Sequence, residues 1–299
     1  MPRTIRYDRL PTEQANPRSR VLDTLSVPAL LRLMNREEIG AVRAVGRVIP
    51  QVGQAVRLIA DVLRKNGRLF FVGAGTSGRL GIIEAAECPP TFSTAPSMVQ
   101  AIMAGGRGAV FRSREGAEDR RADARRLIRQ RVRRGDVVVG IAASGVTPFV
   151  DEALQAARSR DAATILVTGH PGSRIPCTVR IAFVSGPEVL SGSTRLKAGT
   201  ATKLILNMLT LGAMVQLGKT YGHWMVDVRP TSRKLRARAH RLVQTLAGCT
   251  SARARQLLRR SGGRVKVAVL LARGGSAVSA AKRLARVDGS LRRALARRD

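Results

Sequence analysis

Leu69-Phe70-Phe71-Val72-Gly73-Ala74-Gly75-Thr76-Ser77-Gly78 sets an apolar run against a glycine-rich turn, with helical periodicity resuming at once. A short run rich in aromatic and β-branched residues, closed by glycine, predicts a buried strand. The turn has the GxGxxG form that brings a backbone close to a phosphate at a helix N-terminus. A dinucleotide site also wants an acidic residue about 20 positions further on, and none stands between Glu87 and Glu115. The loop offers the hydroxyls of Thr76 and Ser77 beside exposed amides, with Gly78 closing the turn, which suits a sugar or a phosphate monoester. A tight strand-to-helix turn without a ligand is the competing reading of these residues.

Outward from this turn the same grammar repeats. Val99 to Ile102, Val137 to Ile141, Thr164 to Thr168 and Ile181 to Val184 read as further strands. Helix-like segments lie between or beside them, at Gln51 to Lys65, Gly78 to Ala86, Glu115 to Val132 and Pro148 to Arg158. The alternation predicts an α/β fold with a doubly wound, mostly parallel five-stranded sheet flanked by helices, and ligands at the carboxyl ends of its strands. A second loop, Ala142-Ala143-Ser144-Gly145-Val146-Thr147-Pro148, follows the third strand. Ser144 and Thr147 can surround an anion, Gly145 admits the backbone, and Pro148 suits a first helical turn. A third hydroxyl-rich turn, Ser191-Gly192-Ser193-Thr194-Arg195, leads to Lys197. That lysine reads either as a phosphate counterion or as an ordinary solvated residue.

Ala198 to Leu217 is apolar nearly all round, as expected of a buried or interfacial helix. After Pro230 the chain turns to short Arg-rich amphipathic helices at Ser232 to Leu246, Ser251 to Arg260, Val265 to Leu271 and Ala277 to Leu284. With a boundary near Asp227 to Thr231, the expected organisation is a helical segment over 1–50, a sugar-phosphate-binding domain over 51–228 and a small helical domain over 229–299.

Composition narrows the function classes. The chain has 299 residues, 44% of them hydrophobic, and 53 Lys plus Arg against 20 Asp plus Glu for a net charge of +33. It is long enough to bury a real core, and default disorder and collagen-like sequence are excluded. No apolar stretch is read as a membrane span and the first 23 residues lack a signal-peptide core, so a cytoplasmic protein without a membrane is expected. Three scattered cysteines, Cys88, Cys177 and Cys249, argue against a disulfide framework, and the three histidines form no zinc spacing, so metal-free chemistry is expected. The positive charge invites a nucleic-acid partner, but it is spread over several helices without interleaved aromatics, and the Arg-, Ala- and Gly-rich composition fits a coding bias; nucleic acid is not the expected partner.

Carboxylates are scarce. Glu84 and Glu87 lie on the helix opened by the first loop, and Glu87-Cys88-Pro89-Pro90 is expected to end it abruptly. Glu115, Glu118 and Asp119 precede the Arg-rich helix, where they could work as acid or base or could merely complement the helix dipole. These residue types alone select no reaction.

Taken together, Thr12-Glu13, Asn16-Pro17, Gly73 to Leu80, Glu87 to Phe92, Glu115 to Asp119, Gly140 to Pro148, Gly186 to Val189, Gly192 to Thr200 and Met225 to Val228 resemble the N-acetylmuramic acid 6-phosphate etherases. The resemblance runs nearly the whole chain in order. It implies the sugar-phosphate isomerase (SIS) fold with a small C-terminal helical domain, no cofactor, and a cytoplasmic homodimer acting in cell-wall recycling. The implied reaction is cleavage of the D-lactyl ether by β-elimination through the open-chain aldehyde, followed by hydration at C3. It places the acid and base on Glu87 and Glu118, with Glu87 preferred as proton donor to lactate and Glu118 as base at C2, though the reverse stays open. It makes Thr76, Ser77, Ser144, Gly145 and Thr147 the foremost expected sugar-phosphate contacts, counts Gly78 and Ser193 as substrate-binding with them, and makes Lys197 a support for the phosphate or the opened sugar. Two departures stand out: Val146 replaces the arginine of the family's ASGRTP, and Arg120, Arg121, Arg125 and Arg126 follow a motif whose sequel is commonly acidic or mixed. A non-catalytic regulator of the glucokinase regulatory type is the main alternative. An SIS transcription regulator would need more chain before the first strand, and an aldose-ketose isomerase would also remove a C2 proton.

Overall fold

The structure is a computed structural model and describes residue 8 and residues 10–228 and 230–296. In chain order the elements are α1 (Val27–Gly46), α2 (Ile49–Arg64), β1 (Leu69–Gly73), α3 (Gly75–Phe92), β2 (Val99–Met103), α4 (Gly108–Phe111), α5 (Arg121–Arg131), β3 (Val137–Ile141), α6 (Pro148–Arg158), β4 (Ala163–Thr168), β5 (Val179–Ala182) and α7 (Lys197–Gln216). A two-stranded hairpin, β6 (Thr220–Tyr221) and β7 (Trp224–Met225), precedes α8 (Arg233–Ala247), α9 (Ser251–Arg260), α10 (Val265–Leu271), α11 (Ala277–Ala285) and α12 (Leu291–Ala296). The main sheet has the order β2-β1-β3-β4-β5 with every pairing parallel.

β1 and β3 are buried along their whole length, which is why they read as unbroken apolar runs rather than alternating ones. On one face Phe70, Val138 and Leu166 pack with Ile128 of α5 and with Phe149 and Leu154 of α6. On the other, Gly81 lets α3 approach, since a Cβ there would stand 2.8 Å from Cβ of Phe71. At the amino ends of β1 and β3, Asp136 is fully buried. It accepts from the amides of Arg68 and Arg133 and from the Arg68 guanidinium, the shortest contact being 2.7 Å.

Three boundaries differ from the sequence reading for local reasons. β5 spans Val179–Ala182 rather than Ile181 to Val184: exposed Arg180 interrupts the apolar run, while Val179 and Ile181 point inward, and Ile165 pairs with Val179. α3 does not stop at Glu87 but continues to Phe92, carrying Pro89 and Pro90 in its last turn, which Ser93 N closes on Pro89 O. The segment read as one helix from Glu115 breaks into a 3-10 turn, Ala117–Asp119, and α5.

The chain forms two compact units, Met1–Ala86 with Ser97–Thr210, and Glu87–Pro96 with Leu211–Asp299. The second therefore begins well before the boundary expected near Asp227. Val226 and Val228 bury with Leu242, Leu257, Leu270 and Leu291 of the C-terminal helices, and Ser93 donates to Asp227 O. Within this unit Asp227 pairs with Lys219 at 3.1 Å and with buried Lys266 at 2.9 Å. Contrary to the sequence reading, one helix among the described residues, α7, is long and apolar enough to cross a membrane. Yet 56% of that window is buried inside the protein, and Ala201, Ile205, Leu206, Leu209 and Met214 are fully covered.

Candidate active site

Parallel strands bring their carboxyl ends to one edge of the sheet, and the loops leaving β1, β2 and β3 gather there. A crevice of about 270 Å³ opens among them. The β1–α3 loop contributes Ala74 to Ser77, and the β3–α6 loop contributes Ala143, Ser144 and Thr147. Both loops are held by glycine. A Cβ on Gly73 would lie 2.7 Å from the Gly78 amide and one on Gly78 2.7 Å from Gly73 O. Gly145 has φ +72°, its carbonyl accepts from Ser173 Oγ at 2.6 Å, and its Cβ would fall 2.8 Å from Thr168 Oγ1. Gly78 and Gly145 thus shape the loops without lining the crevice. The first turns of α3 and α6 point their positive dipole ends toward this edge, the arrangement that receives a phosphate.

The opposite wall comes from the segment after β2. Gly116, with φ +72°, turns the chain into the short 3-10 helix that presents Glu118. Glu115, Glu118 and Arg114 line the crevice there, and Arg79 reaches it from α3. No described residue hydrogen-bonds or ion-pairs with the Glu118 carboxylate, so it is available to a ligand. Thr12 and Glu13 complete the cavity together with Gly192 and Thr194. Thr12 Oγ1 donates to Glu13 at 3.2 Å, and Gly192 N donates to Thr12 O at 3.2 Å.

The segment carrying Thr12 and Glu13 is anchored by a buried polar cluster. Asn16 Nδ2 donates to Glu37 at 2.9 Å and to Pro187 O at 3.2 Å, and Arg18 donates to Glu37 at 2.9 Å. Lys197 Nζ donates at 2.6 Å to Glu37 Oε2, the oxygen it shares with Asn16, with side chains 4% and 5% exposed. Burial by itself raises the Glu37 carboxyl, but donation by Lys197, Arg18 and Asn16 outweighs it and holds the group at about 2. Glu188, also buried, accepts from the amides of Lys197 and Ala198, both at 2.9 Å, and so caps α7; burial pushes its carboxyl up against the pull of those amides.

The crevice therefore gathers Thr76, Ser77, Ser144, Thr147 and Glu118 of the residues expected from sequence. Lys197 is corrected: it is buried and committed to Glu37, so it does not face a phosphate or an opened sugar. Ser193 is not part of the lining, which takes its neighbours Gly192 and Thr194 instead. Glu87 does not line this crevice either; it is exposed on α3 and belongs to the second compact unit. Glu84 is buried, paired with Lys203 at 3.0 Å and accepting from Thr210, a structural placement. Sequence reasoning did not select Glu13, Arg79 or Arg114 as site residues. Glu13 and Arg79 both lay inside motifs that were visible, but nothing local ties either to a ligand.

Comparison with known proteins follows the same outline. The model of the glucokinase regulatory protein N-terminal SIS domain matches residues 51–158 and that of the SIS domain residues 120–212. The N-acetylmuramic acid 6-phosphate etherase of Synechocystis sp. is 49% identical over 301 residues, covering 99% of each chain. That of Gloeobacter violaceus is 53% identical over 265 residues, covering 88% of this chain and 87% of that one. Among solved structures, a phosphoheptose isomerase from Neisseria gonorrhoeae is similar over 64% of this chain and 98% of its own, with 20% identity and a TM-score of 0.49.

Proposed function

This chain belongs to the N-acetylmuramic acid 6-phosphate etherase family, and on that premise we propose that it cleaves the D-lactyl ether of N-acetylmuramic acid 6-phosphate, giving N-acetylglucosamine 6-phosphate and D-lactate. The observation that carries the reading beyond the family is the crevice itself, lined both by Glu118, which has no partner among the described residues, and by the hydroxyl-bearing loops that lead into α3 and α6. The phosphate is received by the amides of α3 and α6 with the hydroxyls of Thr76, Ser77, Ser144 and Thr147. The ring opens to its aldehyde, which acidifies the C2 proton, and the Glu118 carboxylate removes it. Electrons move into the C2–C3 bond as the C3–O bond breaks, and the lactyl oxygen leaves with a proton from a general acid, the role that the family resemblance gives to Glu87. Water then adds at C3, so the overall change is hydrolysis of the ether through carbon–oxygen lyase and hydration steps.

The same reading takes the protein to be a cytoplasmic homodimer of amino-sugar recycling. Leu31, Ile39 and Val42 of α1 are each about half exposed, which suits an interface. The match to the glucokinase regulatory protein domain keeps one rival, a sugar-phosphate binder without turnover. D-lactate release from N-acetylmuramic acid 6-phosphate by the purified protein separates the two. Lactate is expected from the native chain, with Glu118→Gln and Glu87→Gln each slower by roughly 10²–10⁴. Tight sugar-phosphate binding without any lactate would overturn the etherase in favour of the binder.

A further inference from the structure

The substrate of the proposed reaction is anionic at two places, the phosphate on C6 and the carboxylate of the lactyl arm on C3. The helix N-termini account for the first. We propose that Arg79 and Arg114 form the subsite for the second, so that they distinguish the lactyl-bearing sugar from hexosamine phosphates that lack the arm; this inference rests on the etherase reading.

The geometry is that of two cations fixed on one short segment of the crevice wall. Arg79 Nε donates to Val110 O at 2.8 Å and Nη2 to Ala109 O at 2.9 Å, which leaves Nη1 without a described partner. Arg114 Nη1 donates to Gly105 O at 3.2 Å. Its Nη2 lies over Gly108, where a Cβ would come within 2.6 Å, so the glycine makes room for the guanidinium. Both arginines line the crevice with Glu118. No carboxylate among the described residues lies within ion-pair distance of either, although arginines elsewhere in this chain find Asp136, Asp151, Glu152 and Asp288.

Two neighbouring guanidiniums held by carbonyls, with donors to spare and no counter-ion, favour an incoming anion. Their anchoring also means that little side-chain freedom remains to be lost on binding. The need for such a subsite follows from the other lining groups. Glu13, Glu115 and Glu118 give the crevice three carboxylates, and an anionic arm would be repelled from the base unless cations received it. Once the ether is cut, the retained sugar no longer bears the carboxylate, so it loses this anchor while the phosphate contacts persist.

The test uses the full chain carrying Glu118→Gln, whose slowed turnover lets binding be read, and measures affinity for N-acetylmuramic acid 6-phosphate and for N-acetylglucosamine 6-phosphate. Adding Arg114→Gln should weaken the first by about tenfold to a hundredfold, the range of a charge-assisted pair, and change the second by less than about twofold. Arg79→Lys, which keeps the charge but loses the two-carbonyl anchor, should show the same preference in smaller degree. Retained affinity for the second sugar reports that the variant is folded. Equal losses for both sugars, or none for either, would overturn the subsite. If the native chain releases lactate while these ratios stay flat, only the subsite falls; if it releases none, the etherase reading falls with it.

Discussion

Replacing Lys197 by methionine keeps the length of the side chain and removes the ammonium that Glu37 receives at 2.6 Å. The magnitude follows from the carboxyl it serves. Glu37 is held at about 2 against an ordinary 4.5, and a displacement of that size corresponds to about 3 kcal/mol of preference for the folded, ionised state. Because the folded value lies below the unfolded one, this stability is fully present above pH 4.5 and is lost as pH falls from there through about 2. Lys197 is the foremost of the three donors, and breaking a buried pair leaves an anion stranded, so Lys197→Met should cost roughly 3 kcal/mol. For a unit of this size that is a fall in melting temperature of about 6–12 °C. Thermal melting at pH 7 should show the gap, and repeating it toward pH 3 should narrow it as Glu37 loses its advantage in both proteins. The double variant Glu37→Gln with Lys197→Met removes the stranded charge and should recover much of the loss. A gap under about 2 °C at pH 7, or a double variant no more stable than the single one, would refute the assignment of Lys197 to the cluster.

Two further predictions concern the ends of the central strands. Asp136→Ala leaves Arg68 and the Arg133 amide unsatisfied at a fully buried position and should cost about 3–5 kcal/mol, read from a denaturation midpoint, with the crevice unchanged in any molecules that remain folded. Gly145→Ala forces a side chain onto a φ of +72° and to within 2.8 Å of Thr168 Oγ1. Sugar-phosphate affinity should drop more than tenfold because the β3–α6 loop must move; unchanged affinity by calorimetry would show that the loop does not hold the phosphate.

What could be read from the chain is what depends on neighbours in sequence. Buried parallel strands announce themselves as unbroken runs, and each phosphate loop is a contiguous string of glycines and hydroxyls, so the sheet and Thr76, Ser77, Ser144 and Thr147 followed directly. Lys197 looked like a ligand for the same local reason, being placed after a hydroxyl-rich turn. Its true partner, Glu37, is 160 residues away and carries no local mark. Glu13, Arg79 and Arg114 line one crevice only because the segment carrying Thr12 and Glu13, α3 and the segment after β2 converge, and that convergence is a property of the packed sheet edge. The run-on of α3 through Pro89 and Pro90 was hidden because a proline pair, which offers no N–H to the carbonyls one turn earlier, reads as a stop.

The segment that carries Thr12 and Glu13 also has a consequence for affinity. Leu10, Thr12 and Asn16 are its buried residues, one apolar and two polar, and Asn16 ties it to Glu37 and to Pro187 O. Such a segment can open on its own while β1 to β5 stay paired, since local opening is cheapest where few apolar contacts are broken. A sugar that touches Thr12 or Glu13 binds only the attached state, so occupancy and attachment draw on one another, and each fraction of time the segment spends detached lowers the apparent affinity in proportion. The Asn16–Glu37–Lys197 cluster is then part of the binding constant although none of its members reaches the ligand.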